Sequence, residues 1–278
     1  MSYKIIGDSC TDLTKELKQE GCISLVPLSL TIEEETFIDD ETFCQKTFIE
    51  KMAESEECPK SACPSPERYM REFEGEEECY VITLSAQLSG SYNSAKLARS
   101  MYLEEHPETK IEIIDSRSAS VGQTLIALKI KEWKEQGLPF EEVRKQILAF
   151  RDGLQTKFVL ESLENLRKNG RFTNIAAMLC KVLNIRPVMG ATPEGQITKL
   201  DQARGMSRAL SRMVEYIEKD AVDVTTKILG IAHCNNKERA EFVKHEILKK
   251  LPFKSCIIVD TAGVSTLYAN DGGIIVAY

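Results

Sequence analysis

The segment Val81 to Ala95, VITLSAQLSGSYNSA, limits the folds open to this chain more than any other. An apolar run ends in small polar residues, and Ser89-Gly90-Ser91 then opens a segment whose residues Tyr92, Ala95, Ala98 and Met101 keep helical spacing. That pattern predicts a buried strand, a tight turn and a helix start. Such a junction aims backbone N–H groups and hydroxyls at one spot beside the positive end of a helix dipole, which suits an anion, read here as a carboxylate.

The same alternation continues on both sides. Tyr3-Lys4-Ile5-Ile6-Gly7 predicts a first strand, and Asp8-Ser9-Cys10-Thr11-Asp12 follows at its carboxyl end, where open α/β sheets bind ligands. Asp8 and Ser9 are therefore candidate ligand contacts, with capping of a Leu13 to Leu17 helix as the plain alternative. Ile23 to Leu30 predicts a second strand, Thr42 to Ala53 a helix, and Glu54 to Lys60 an acidic surface loop. In Ser61-Ala62-Cys63-Pro64-Ser65-Pro66 the prolines favour an extended turn. Ser65 suits an N-cap with Pro66 as the first helical residue, which leaves Ser61 without a structural task. Ile111 to Asp115 predicts a further strand, with helices over Gly122 to Trp133 and Pro139 to Phe150. Strands alternating with helices imply a largely parallel sheet covered on both faces.

Beyond Thr156 the grammar changes. A strand at Phe158 to Leu160 and a helical turn at Leu163 to Leu166 lead to a glycine stop at Asn169-Gly170. Asn174 to Leu183 is apolar enough for a buried helix, and Ile185 to Ala191, Pro193-Glu194-Gly195 and Gln196 to Leu200 make a hairpin. A helix (Met206 to Ile217), a strand (Ile228 to His233), a helix (Lys237 to Lys249) and strands at Ser255 to Val259 and Gly273 to Tyr278 complete a mixed sheet. The expected fold class is α/β, with two α/β domains, residues 1–155 and 156–278.

Composition narrows the function. A net charge of −7 without clustered Lys and Arg excludes a nucleic-acid surface. No apolar run approaches the roughly 20 residues needed to span a bilayer, so no stable membrane insertion and a cytoplasmic location are expected. The 9 cysteines include no CxxC pair and the 3 histidines are dispersed, so no metal site and no cofactor are expected.

Five separated stretches together resemble the DegV family of bacterial fatty-acid-binding proteins, which includes the acyl-carrying subunit of bacterial fatty acid kinase. They are Ile6-Gly7-Asp8-Ser9, Ser61-Ala62-Cys63-Pro64-Ser65, Leu84-Ser85 through Leu88-Ser89-Gly90-Ser91-Tyr92-Asn93-Ser94-Ala95, Asp115-Ser116, and Leu163-Glu164-Asn165-Leu166 through Gly170-Arg171. The resemblance implies a long-chain fatty acid between strands and helices of the second domain, its carboxylate held where the domains meet, and a fatty acid kinase catalytic subunit as partner. Ser61 and Ser89 are the implied carboxylate contacts, with the Gly90 backbone beside them, Arg171 near the head group and a Gly-rich end closing the site. Two departures stand out: Ser61-Ala62-Cys63 replaces the usual Thr-Ser-Gln, and Tyr268 occupies the place of a histidine near the head group.

Plainer readings exist for each. Ser89 also suits an N-cap, Arg171 a surface charge, and Phe172, Ile175, Met178, Leu179 and Val182 an ordinary core. Two functions follow: a non-catalytic lipid carrier, or an enzyme using Asp8, His233 or a cysteine on a small molecule in the interdomain cleft.

Overall fold

A computed structural model describes residues 2–172 and 184–278. The first part of the chain runs β1 (Tyr3–Asp8), α1 (Lys15–Glu20), β2 (Ile23–Val26), β3 (Ser29–Ile32), β4 (Glu35–Ile38), α2 (Gln45–Glu54), β5 (Lys60–Ala62), α3 (Pro66–Phe73), β6 (Glu78–Thr83), α4 (Ser91–Glu105), β7 (Lys110–Asp115), α5 (Val121–Glu135) and α6 (Phe140–Asp152). The rest runs β8 (Thr156–Val159), α7 (Glu164–Lys168), β9 (Ile185–Ala191), β10 (Ile197–Arg204), α8 (Met206–Asp220), β11 (Ile228–His233), α9 (Lys237–Leu248), β12 (Ser255–Asp260), α10 (Gly263–Ala269) and β13 (Ile274–Ala277). The fold is α/β. The helix expected over Asn174 to Leu183, with Ile175, Met178, Leu179 and Val182, lies outside the described residues.

A four-stranded parallel sheet, ordered β2-β1-β6-β7, forms the first layer system. Its strands are buried on both faces, which is why they read as continuous apolar runs. Successive residues point to opposite sides. Ile5, Tyr80, Ile82 and Ile114 pack under α5 and α6 through Ile126, Ile130, Val143 and Ile147. Ile6, Val81 and Ile113 meet Tyr69, Phe73, Ala95 and Ala98 of α3 and α4.

The stretch expected as one strand over Ile23 to Leu30 is two. Pro27 has no N–H to donate, and the chain leaves the parallel sheet there to start a separate antiparallel sheet ordered β4-β3-β5. Ser61 sits within β5, opposite Leu30, rather than in a loop. The cap of α1 is Thr14, whose side chain accepts from Leu17 N–H, so neither Asp8 nor Ser9 caps it.

The second large sheet is mixed, ordered β10-β9-β8-β13-β11-β12, with β11 and β12 parallel and the other neighbours antiparallel. Val188, Leu229, Ile231 and Val276 pack against α8 and α9 through Met213, Ile217, Val243 and Ile247. The opposite face receives α5: Val121 and Leu125 are buried with Ala232, Val259 and Ala277. A single helix thus contributes to the cores of both sheets. On the interior strand β8 the buried Lys157 donates to Asp220 (2.6 Å) and to the Tyr278 hydroxyl (2.7 Å), which itself donates to Asp220.

The tip of the β9–β10 hairpin leans on the first sheet's loops. Ser85 Oγ donates to the Gly195 carbonyl (2.8 Å), and Gln196 Nε2 donates to Gln87 Oε1 (3.1 Å). Gly195 has φ +87°, and a Cβ there would lie 2.5 Å from Ser85 Oγ and 2.8 Å from Arg117 Cα. Gly195→Ala therefore combines backbone strain with a clash against main chain, and should cost about 1–3 kcal/mol. Urea denaturation checks it: an unchanged midpoint would show that the hairpin tip does not depend on this contact.

Candidate functional site

The carboxyl ends of the parallel strands lead into three loops, 9–14, 84–90 and 116–120, facing β8, β9 and β13 of the second sheet. Between them lies a cavity with about 800 Å³ of unfilled space, its mouth included. Its wall is mostly hydrocarbon: Leu84 and Leu88 from the first set of loops, Phe158, Leu160, Ile197 and Ile275 from the second sheet. Such a wall excludes water and favours an apolar guest of matching shape.

Four of the residues singled out by sequence, Ser61, Ser89, Arg171 and Tyr268, lie in that wall. They fall into two neighbouring pairs. The hydroxyls of Ser61 and Tyr268 are 2.9 Å apart, joining β5 to α10. Ser89 follows a turn in which its N–H and that of Leu88 both donate to the Ser85 carbonyl. Its Oγ accepts from Ser91 N–H (3.2 Å), while Gly90 is the residue at the N-cap position of α4. Arg171 is held over this turn, Nε donating to the Leu88 carbonyl (3.1 Å) and Nη1 to the Asn169 carbonyl. Burial pushes the Tyr268 hydroxyl above its ordinary pKa, so it is a neutral donor at physiological pH.

Asp8, Ser9 and Gly90 are not part of the wall. Asp8 is fully buried and accepts from Leu84 N–H (2.8 Å), Ser91 Oγ (2.6 Å) and Gln123 Nε2 (2.8 Å). Ser9 Oγ donates to Asp39 (2.8 Å) and accepts from Leu28 N–H (3.0 Å). Both spend their capacity on neighbouring loops, because strand-end polar groups removed from water need protein partners. Gly90 lies against Cys63, whose Sγ would be 3.1 Å from a Cβ at that position.

Sequence reasoning missed α10, which supplies Val264, Ser265, Tyr268 and Ala269 to the wall. It also passed over Asn165, whose Nδ2 donates to the Leu267 carbonyl (2.8 Å), and Asn169, whose Nδ2 donates to the Pro59 carbonyl (2.9 Å). These two amides tie α7 to α10 and to the strand carrying Ser61. The signal was present in the Leu-Glu-Asn-Leu run, where an asparagine falls inside a short helix that it disfavours.

His233 and Cys234 form no nucleophile pair. His233 Nδ1 lies 3.3 Å from both the Asn236 N–H and Asp260 Oδ1 and is not hydrogen-bonded to Cys234, and burial pushes the Cys234 thiol up to about 11, which keeps it protonated. Among the described residues no group of three or more His, Cys, Asp or Glu is placed to hold a metal ion. Also among them, no helix is long and apolar enough to cross a membrane.

The family model described as "Uncharacterised protein, DegV family" matches residues 2–278. The chain belongs to the DegV family. A DegV domain-containing protein of Streptococcus pneumoniae is 34% identical over 281 residues, covering 100% of this chain and 99% of the relative. Among solved structures, a DegV family protein of Ruminococcus gnavus, refined with vaccenic acid, superposes with TM-score 0.97 at 48% identity over 100% of both chains. The Fatty Acid Kinase (Fak) B3 protein of Streptococcus pneumoniae, loaded with linoleic acid, superposes with TM-score 0.91 at 34% identity, covering 100% of this chain and 99% of that one. These DegV proteins share the arrangement of a parallel four-stranded sheet beside a mixed six-stranded one.

Below the cavity, burial pushes the Asp12 carboxyl up to about 7 and that of Asp39 up to about 6, against hydrogen bonds that pull both down. A carboxyl with a higher pKa folded than unfolded contributes stability at low pH that is lost as pH rises through the folded value. From about pH 4 to 7, Asp12 and Asp39 therefore make the fold less stable as pH rises. Between pH 5 and pH 8 the wild type should lose more unfolding free energy than Asp12→Asn does. Equal losses by chemical denaturation would show that Asp12 ionises normally.

Proposed function

We propose that this DegV protein is a non-catalytic carrier of a long-chain fatty acid. Its carboxylate rests in the corner of Ser61, Ser89, Arg171 and Tyr268, and its tail follows the hydrocarbon wall. The observation that carries this reading is the meeting of the Ser61 and Tyr268 hydroxyls in an otherwise mostly apolar wall that Ser89 and Arg171 also line.

A carboxylate withdrawn from water is costly unless hydrogen-bonded, and the three hydroxyls are donors for it. Arg171 supplies positive charge while two of its nitrogens are fixed by backbone carbonyls, so it favours the ionised head group without needing direct contact. Each buried methylene contributes about 0.8 kcal/mol, so the tail dominates affinity and the corner sets orientation. The bound linoleic and vaccenic acids in the relatives support this assignment.

The reading divides the chain into domains at residues 1–155 and 156–278, with the carboxylate at their junction. The name of the relative loaded with linoleic acid supports a fatty acid kinase as partner, the carboxylate being offered for acyl-phosphate formation. A cytoplasmic site of action fits the eight described cysteines, all of which are unpaired thiols.

Native mass spectrometry of purified protein tests the carrier directly, a retained mass in the C14 to C18 fatty acid range being the expected result. Ser61→Ala and Ser89→Ala should each weaken retention by about 1.5–3 kcal/mol, the worth of a hydrogen bond to a charged group, with melting temperatures close to wild type. Retention untouched by both substitutions would place the head group elsewhere.

A further inference from the structure

The start of α10 is held by two carboxylates from far earlier in the chain. Three successive backbone N–H groups end on them: Ala262 donates to Asp12 Oδ1 (2.6 Å), Gly263 to Asp39 Oδ1 (2.6 Å) and Val264 to Asp39 Oδ2 (2.9 Å). Each carboxylate is completed by a serine, Asp12 by Ser120 Oγ (2.5 Å) and Asp39 by Ser9 Oγ (2.8 Å). Both are buried and outside the cavity wall. The packing is close: a Cβ on Gly263 would lie 2.6 Å from Asp39 Oδ1 and 2.7 Å from Leu30 Cδ1.

We propose that Asp12 and Asp39 are positioning residues for ligand binding: they fix the start of α10 and so set where Ser265 and Tyr268 stand in the cavity wall. The inference rests on the fatty-acid reading of the cavity. Tyr268 lies one and a half turns along α10 from Gly263, and its hydroxyl meets Ser61 at 2.9 Å. A change at the held end is therefore passed to the head-group corner by a single turn-and-a-half of buried helix. Ser120 lies in the wall itself, so the same carboxylate that holds Ala262 also orients a residue facing the guest.

Asparagine at position 39 would keep one acceptor and turn an NH2 group toward donors. Either Gly263 N–H, or Val264 N–H with the Ser9 hydroxyl, then loses its partner. Gly263→Ala attacks the same contact by bulk while leaving both carboxylates in place. Protein loaded with oleic acid is mixed with excess albumin, and the transfer rate is read together with amide exchange over 262–269 and the Gly263 and Val264 amide resonances. In Asp39→Asn and in Gly263→Ala, dissociation should accelerate about tenfold or more. Exchange over 262–269 should rise, and in Asp39→Asn the two amide protons should lose the downfield shift of a carboxylate-bound N–H. If Asp39→Asn does not fold, Gly263→Ala decides. A folded variant that releases oleic acid at the wild-type rate overturns the positioning role and leaves the carrier reading intact. Wild-type protein that takes up no oleic acid overturns the carrier reading and this inference with it.

Discussion

A carboxylate at the end of the first strand organises the loops on which the cavity is built. Asp8 leaves β1 fully buried and gathers donors from three places: the end of β6 at Leu84, the first residue of α4 at Ser91, and α5 at Gln123. Burial raises its pKa, and these donors oppose the rise. Truncating Gln123 would strip Asp8 Oδ1 of its side-chain donor, and truncating Ser91 would strip the buried Tyr69 hydroxyl of its partner, each a cost of about 1–3 kcal/mol. The strand-turn-helix junction at 81–95 therefore keeps its shape through a group that lies outside the cavity wall. Ser89 and Leu88 face the cavity because Leu84 and Ser91, on either side of them, are tied to Asp8.

The same division of labour runs through the site. Apart from Arg117 and Arg171, the residues that touch the cavity are small and polar or hydrocarbon, whereas the buried carboxylates of Asp8, Asp12 and Asp39 stand behind them. Arg171 shows why placement matters more than charge. Its Nε and Nη1 are committed to the carbonyls of Leu88 and Asn169, which pins the guanidinium over the 84–90 turn. A flexible cation could hold that place only at an entropic cost that this fixed one avoids.

Legibility followed the physics of each element. Central parallel strands such as β6, buried at every position, announce themselves as apolar runs, and helix α3 announces itself through Ser65-Pro66. The β9–β10 hairpin was legible from Gly195, whose positive φ only glycine adopts freely. Helix α10 was not, because nearly all its residues are buried and no polar face marks a helical period. Strand β5 was hidden because three residues between prolines carry no alternation to count. For the site, it was the resemblance of Ser61-Ala62-Cys63-Pro64-Ser65 to the family motif that pointed to Ser61, which lies in the cavity wall. Asp8 and Ser9 looked equally suited to a ligand, and sequence does not reveal that Gln123 and Asp39, distant along the chain, satisfy them first.

Helix α5 joins the two sheets. Because Val121 and Leu125 belong to one core while Ile126 and Ile130 belong to the other, swinging the two sheets apart like jaws would strip apolar surface from both at once. Movement of one sheet against the other is thereby opposed by the hydrophobic effect on both sides of a single helix.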